Sequence, residues 1–359
     1  MTAGADREVT AGADREVTAG ADREVTAGAD REVSRGGSRD VPDLVRRARA
    51  GDARSVARLI TLVESGGPQL PQIAAELAGH TGHALVVGLT GAPGVGKSTT
   101  TSELVRVLRG RNLRIGVLAV DPSSPFTGGA ILGDRVRMQD HATDPGVYIR
   151  SMSSRGHLGG LSSATPAAVR VLDGVGCDVV LIETVGVGQA EVEVAGLADT
   201  TVVLLAPGMG DAVQAVKAGI LEIADIFVVN KADRDGADGT VRDLTGMLAL
   251  TATAPGGWRP PVLRTVAAHG DGLDDLVTAI ERHRDWLAGR GELTARRARR
   301  VAAEVEAIAI GTLRGRISSL RGGTLPAELA AEVLAGRLDP YAAADRLLAE
   351  LTRSTPTPR

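Results

Sequence analysis

The residues best suited to chemistry lie in the run Gly91-Ala92-Pro93-Gly94-Val95-Gly96-Lys97-Ser98-Thr99. They follow the apolar stretch Ala84 to Leu89 and precede a helix-like segment, Thr100 to Arg109. In that strand, loop and helix setting the pattern G-x-x-x-x-G-K-[ST] predicts a phosphate-binding loop rather than an ordinary glycine-rich turn. Gly91, Gly94 and Gly96 allow backbone angles and a close approach that side chains would block, so successive N–H groups can turn towards an anion. The helix beginning at Lys97 adds its positive end. Lys97 can reach the β and γ phosphates of a nucleotide, and the Ser98 hydroxyl can bind the Mg²⁺ that bridges them.

Further motifs narrow the nucleotide. Asn230-Lys231-Ala232-Asp233 directly follows the apolar run Ile226 to Val229. A carboxylate at Asp233 can accept from both N1–H and the 2-amino group of guanine, with Lys231 packing its stem over the base. Adenine lacks that donor pair, so a buried acid would be left unpaired at a cost of about 1–3 kcal/mol or more. Glu183-Thr184-Val185-Gly186 follows Val179 to Ile182. Glu183 can hold a metal shell or a water, and the Gly186 N–H can meet a γ-phosphate, a contact that exists only while that phosphate is attached. Asp121 ends the run Ile115 to Val120, where an acid can reach the metal. Asp134, thirteen residues on, reads equally as a second metal-shell carboxylate or as a helix cap. Gln189, three residues after Gly186, is a candidate for positioning the attacking water, a glutamine facing solvent or a partner being the alternative. Arg150 and Arg155 are candidates for partner contacts, solvated loop arginines being the alternative.

Composition removes whole classes of function. A net charge of -3 and a pI near 6.1 argue against nucleic acid or an anionic membrane as the main partner. With aromatics at 2%, there is no stacking platform for single strands. The only cysteine, Cys177, excludes an internal disulfide and is poor material for a cysteine-based zinc or nickel site within one chain. His80 and His83 have H-x-x-H spacing without a third ligand nearby, which favours a surface role. No apolar stretch reaches the roughly 18 residues needed to span a bilayer, and no signal-peptide core is present, so a soluble cytoplasmic protein is expected.

The elements that must position these residues alternate along the chain. Apolar, β-branched runs at Leu85 to Leu89, Ile115 to Val120, Val147 to Ile149, Val179 to Ile182, Thr201 to Leu205, Ile226 to Val229 and Pro261 to Val266 are mostly separated by helical patterns. This predicts an α/β fold, a mainly parallel, doubly wound sheet of the P-loop NTPase type with N-terminal and C-terminal helical extensions. Ligands of such sheets bind at the carboxyl ends of the strands, where every motif above falls. Residues 1–39 begin with four copies of Thr-Ala-Gly-Ala-Asp-Arg-Glu-Val, too polar to build a core, and read as a disordered or weakly helical tail. Residues 40–83 read as the N-terminal helical extension, 84–290 as the nucleotide domain and 291–359 as a C-terminal helical arm. Val301, Val305, Ile308, Ile310 and Leu313 form an apolar stripe on that arm, to be buried either by folding back or in a homodimer.

Three longer stretches carry a resemblance. Val120 to Arg135 (Val-Asp-Pro-Ser-Ser-Pro-Phe-Thr-Gly-Gly-Ala-Ile-Leu-Gly-Asp-Arg), Ile149 to Gly160 (Ile-Arg-Ser-Met-Ser-Ser-Arg-Gly-His-Leu-Gly-Gly) and Glu183 to Glu191 (Glu-Thr-Val-Gly-Val-Gly-Gln-Ala-Glu) are similar to signatures of the MeaB/ArgK family. These are GTPases associated with methylmalonyl-CoA mutase and related adenosylcobalamin-dependent mutases, and the resemblance covers about Asp43 to Leu351. It implies a Mg²⁺-dependent GTPase that hydrolyses GTP to GDP and acts as a chaperone, gating delivery of the cobalamin cofactor and protecting the mutase. Carried onto matching positions, Lys97 and Ser98 hold phosphates and metal, while Asp121, Asp134 and Glu183 form the metal's acidic surroundings. The resemblance also implies a mobile segment, Gly208 to Lys217, with Lys217 its basic end, and a homodimer joined through the C-terminal helices. The family's Ser-Ala guanine loop stands here as Val266-Ala267-Ala268, where the Ala267 N–H is expected to meet O6 of the base. Two other classes share the phosphate loop: a metabolic or transport-linked kinase of the ArgK type, which needs an acceptor pocket, and a metal-insertion GTPase, which needs a Cys/His cluster.

Overall fold

In the computed structural model of the chain, residues 40–121, 141, 143–153, 164–184, 190–208, 221–250, 256–320 and 325–353 are described. The octapeptide repeats, Asp134, Arg155, Gly186, Gln189 and Lys217 lie outside them, as does the side chain of Asp121.

Seven strands form one sheet: β1 (Leu85–Thr90), β2 (Ile115–Asp121), β3 (Val147–Ser153), β4 (Val179–Thr184), β5 (Thr200–Leu205), β6 (Ile226–Asn230) and β7 (Val262–Thr265). The order is β3-β2-β4-β1-β5-β6-β7, and every neighbouring pair runs parallel. Strands β1, β4, β5 and β6 are buried at every residue, which is why they read as unbroken apolar runs: a parallel sheet needs helices on both faces. Alternation along β1 serves the two faces separately. Leu85, Val87 and Leu89 pack with α4 (Lys97–Gly110) and α8 (Leu273–Gly289), whereas Val86 packs with the helices of the opposite face.

On that opposite face lie α1 (Val41–Arg49), α2 (Ala53–Ser65), α3 (Leu70–Leu77), α5 (Thr165–Gly174) and α6 (Ala190–Leu197). The break between the first two helices falls at Gly51, in the left-handed region at φ 98°, followed by Asp52, whose carboxylate caps α2 through the Arg54 N–H and the Ser55 hydroxyl. Val41, Val45, Leu59, Ile60 and Leu77 share one buried cluster with Leu118, Val180 and Ile182 of the strands. The N-terminal helices are therefore part of the core that supports the sheet. Arg150 of β3 is tied into the same layer, donating through Nε to Glu64 of α2 at 3.1 Å. Its side chain is half-buried in that ion pair.

The smaller cluster beside β5 and β6 is closed by α7 (Ala237–Leu250). Beyond α8 come α9 (Glu292–Leu320), α10 (Leu325–Leu334) and α11 (Pro340–Arg353). The stripe on α9 does not fold back: Val305 is 61% and Ile308 62% exposed, and Val301, Ile310 and Leu313 are exposed with them. Among the described residues no helix is long and apolar enough to cross a membrane.

Candidate nucleotide-binding site

The chain leaves β1 to one side through β2 and β3, returns through β4 and then crosses to β5 on the other side of β1, so the loop after β1 opens at a switch point of the sheet. The chain there has no room for a side chain. Gly91 has φ 139°, and a Cβ on it would lie 2.2 Å from the Leu204 carbonyl oxygen of β5. Gly96, at φ 98°, precedes α4, and a Cβ there would meet Asn230 Nδ2 at 2.4 Å. Both positions thus require glycine, for conformation and for space at once.

Lys97 is buried, and its ammonium donates to the Gly91 carbonyl at 2.7 Å and the Ala92 carbonyl at 3.0 Å. Its charge is thereby held inside the loop, level with the first turn of α4 and its dipole. One residue on, the Ser98 hydroxyl donates to Glu183 Oε1 at 2.5 Å across the gap between β1 and β4, both side chains being buried. Register explains the meeting, because Leu89 stands opposite Glu183 and the strands end together. Thr184 reinforces it, donating to the Thr90 hydroxyl at 3.0 Å. A hydroxyl beside a carboxylate is a hard oxygen donor set of the kind Mg²⁺ takes, so the residues present fit that ion. The backbone of Asp121 lies one position beyond Val120, which pairs with Thr184, placing it at the same end of the sheet as Glu183. His80 and His83 join no metal-ligand group of three or more among the described residues.

The Asn-Lys-x-Asp turn braces this loop. Asn230 Nδ2 donates to the Val95 carbonyl at 2.8 Å, while its Oδ1 accepts from the Thr265 hydroxyl and the Ala267 N–H, each at 3.0 Å. A buried amide therefore joins the phosphate loop to the end of β7 and the turn after it. Lys231, at φ 56°, donates to the Gly94 carbonyl at 2.6 Å and lies across the loop from the other side. Asp233 differs from expectation in being exposed, not buried. The left-handed backbone at Lys231 turns the chain outward as β6 ends, so the acid stands at the rim of the site. Ala267 is buried and its amide is bonded to Asn230, so contact with a base requires that amide to be shared. Sequence reasoning missed Thr265; its position at the end of the last strand, two residues before the Ala267 loop, was the available signal.

A phosphate loop braced by an Asn-Lys-x-Asp turn, on an all-parallel sheet with a hydroxyl and a carboxylate meeting beside it, places the chain among the P-loop GTPases. The family profile described as methylmalonyl Co-A mutase-associated GTPase MeaB matches residues 56–320, and the chain belongs to that family. A GTPase from Pyrococcus abyssi is 48% identical over 314 residues, covering 87% of this chain and 97% of the relative. The GTPase ArgK of Escherichia coli is 38% identical over 256 residues, covering 69% of this chain and 77% of ArgK. A mouse protein named methylmalonic aciduria type A homolog, mitochondrial, is 40% identical over 214 residues, 59% of this chain and 52% of the relative. Among solved structures, one titled LAO/AO transport system kinase superposes with a TM-score of 0.64 at 25% identity, over 89% of this chain and all of that one.

Proposed function

We propose that this GTPase is the chaperone of an adenosylcobalamin-dependent acyl-CoA mutase of the methylmalonyl-CoA mutase type, using GTP binding and hydrolysis to gate delivery of the cofactor and to protect the mutase. The observation that carries the reading is the family match across residues 56–320, whose description names that mutase; the name of the mouse relative supports it.

Within the site, the loop from Gly91 to Thr99, Ala92, Pro93 and Val95 included, surrounds the phosphates through its backbone N–H groups, which Pro93 alone lacks, and Lys97 supplies charge to the β and γ groups. Ser98 and Glu183, with Asp121 and Asp134, would hold Mg²⁺, which would supply Lewis-acid stabilisation of charge on the phosphate oxygens. Asp233 accepts from the guanine edge, Lys231 covers the base, and Asn230 and Ala267 keep the two loops at a fixed spacing. Gly186 senses the γ-phosphate, Gln189 orients water, and Lys217 belongs to the segment that answers the nucleotide state. The apolar stripe on α9 joins two copies into a cytoplasmic homodimer.

The test is a pull-down from the host's cobalamin-dependent mutases with the chain loaded with GDP or with a non-hydrolysable GTP analogue. Capture of a mutase that depends on the nucleotide is the expected result. No capture in either state, or phosphoryl transfer to an amino acid or carrier protein in a parallel assay, overturns the reading in favour of a kinase.

A further inference from the structure

The amino ends of the strands, opposite the nucleotide loops, hold two buried aspartates. Asp199, fully buried just before β5, accepts from the Val86 N–H of β1 at 3.0 Å, while its own N–H donates to the Val86 carbonyl at 2.8 Å. Asp225, just before β6, accepts from the Thr201 N–H of β5 at 2.8 Å. Each carboxylate therefore locks the start of one strand to its neighbour. Neither is neutralised by the sheet itself.

The neutralising charges come from the head of α9. Arg296 grips Asp225 with both ends of its fork, each at 3.0 Å, and reaches the Asp199 carbonyl at 3.1 Å. Arg297 donates to Asp199 at 2.8 Å and to the Ala84 carbonyl at 2.9 Å, and it also bonds the Gly82 carbonyl. Arg300, one turn on, approaches Asp199 at 3.4 Å and bonds the Leu197 carbonyl. His283 of α8 completes the group, 3.3 Å from Asp225 and bonded to the Thr200 hydroxyl at 2.9 Å.

The far ends of the same strands carry the site. β1 runs into the phosphate loop, the Leu204 carbonyl of β5 sits against Gly91, and β6 ends at Asn230, which bonds both loops. Strands of five or six residues span only about 20 Å. With both ends pinned, β1, β5 and β6 leave little slack between α9 and the loops. A forked arginine–carboxylate bond between buried groups is a directional contact, made or lost as a unit.

We propose that Arg296 and Arg297 are positioning residues that couple the attitude of α9 to nucleotide binding, so that whatever grips the exposed stripe of α9 changes nucleotide affinity, and nucleotide changes the hold on α9. Reciprocity is a thermodynamic requirement once the link exists. The inference rests on the site binding guanine nucleotide and on no particular partner.

Hydrogen exchange of the full native chain tests it, comparing residues 292–304 without nucleotide, with GDP and with a non-hydrolysable GTP analogue. Exchange there is expected to slow when nucleotide binds, although that segment lies at the opposite end of the sheet from the site. Release of a fluorescent GDP from the Arg296→Met/Arg297→Met double variant is expected to be at least about fivefold faster than from the native chain, the low end of a typical coupling. Arg297→Lys keeps charge without the fork and should fall between them. The ratio of GTP to ITP affinity should be unchanged in all three, which separates coupling from a general loss of structure at the base-binding loop. A native chain that fails to bind GDP overturns the nucleotide reading and the coupling with it. Normal binding with unchanged exchange at 292–304 overturns the coupling alone, and does so even where the double variant does not fold.

Discussion

The two ends of the sheet spend buried charge in opposite ways. At the carboxyl ends, Lys97, Ser98 and Glu183 are gathered around a glycine loop whose contacts are short range and largely through backbone. At the amino ends, Asp199 and Asp225 are enclosed by arginines that reach in from a different helix, so that both carboxylates are satisfied within the protein. The first arrangement concentrates donors where phosphate oxygens can replace the acceptors they now bond. The second removes two carboxylates from water and keeps them fixed. Burial of charge alone therefore does not mark the nucleotide site in this molecule: that site needs groups free to exchange partners, whereas Asp199 and Asp225 are held by fixed ones.

Four changes would sharpen or break that contrast, beginning with the largest. Asp199→Ala strips a buried carboxylate from Arg297 and Arg300 and should destabilise the fold by about 3–5 kcal/mol, read as the shift in a denaturant midpoint. A shift under about 1 kcal/mol would place this cluster with ordinary surface ion pairs. Lys97→Ala should leave that midpoint nearly in place and weaken GTP binding about 100-fold, in keeping with a charged hydrogen bond worth about 1.5–3 kcal/mol. Unchanged affinity in a titration would remove Lys97 from the phosphate site. Asp233→Asn should lower GTP affinity about tenfold and favour xanthosine triphosphate, because an amide can donate to the second carbonyl of xanthine. Competition between the two nucleotides decides it, and retained selectivity for GTP would move base recognition elsewhere.

The smallest effect is on acid stability. Burial pushes the Asp225 carboxyl up, but hydrogen bonds and charge from His283 and Arg296 outweigh it and hold it below the ordinary 3.8. A carboxylate whose pKa is lowered on folding contributes stability that is present above the unfolded value and lost as pH falls through the folded one. The stability gap between the native chain and Asp225→Asn should therefore be constant near neutrality and narrow below 3.8. Urea melts across that range measure it, and a gap that widens in acid would reverse the assignment.

Much of this was legible in the chain. All seven strands stand where the apolar runs place them, because strands covered on both faces leave an uninterrupted signal. Gly91, Gly96, Lys97 and Ser98 were readable as a loop, since their spacing is dictated by one local turn. The exposure of Asp233 was not, because it follows from the left-handed backbone at Lys231 and the end of β6 rather than from residue type. Nor was the core role of α1 to α3: their periodicity marks an apolar face without saying what that face meets.

Sequence by itself determined the local chemistry: a phosphate loop between a strand and a helix, a guanine motif at a strand end, and an acid at another. These depend on neighbours a few residues apart, and short-range stereochemistry is written in order along the chain. Only tertiary structure decided that Asn230 would join Val95 to Ala267, that Ser98 would meet Glu183, and that Arg296 and Arg297 would close over Asp225 and Asp199. Such pairs are separated by tens of residues, and their meeting depends on strand order and register, which the parallel packing of the whole sheet fixes at once.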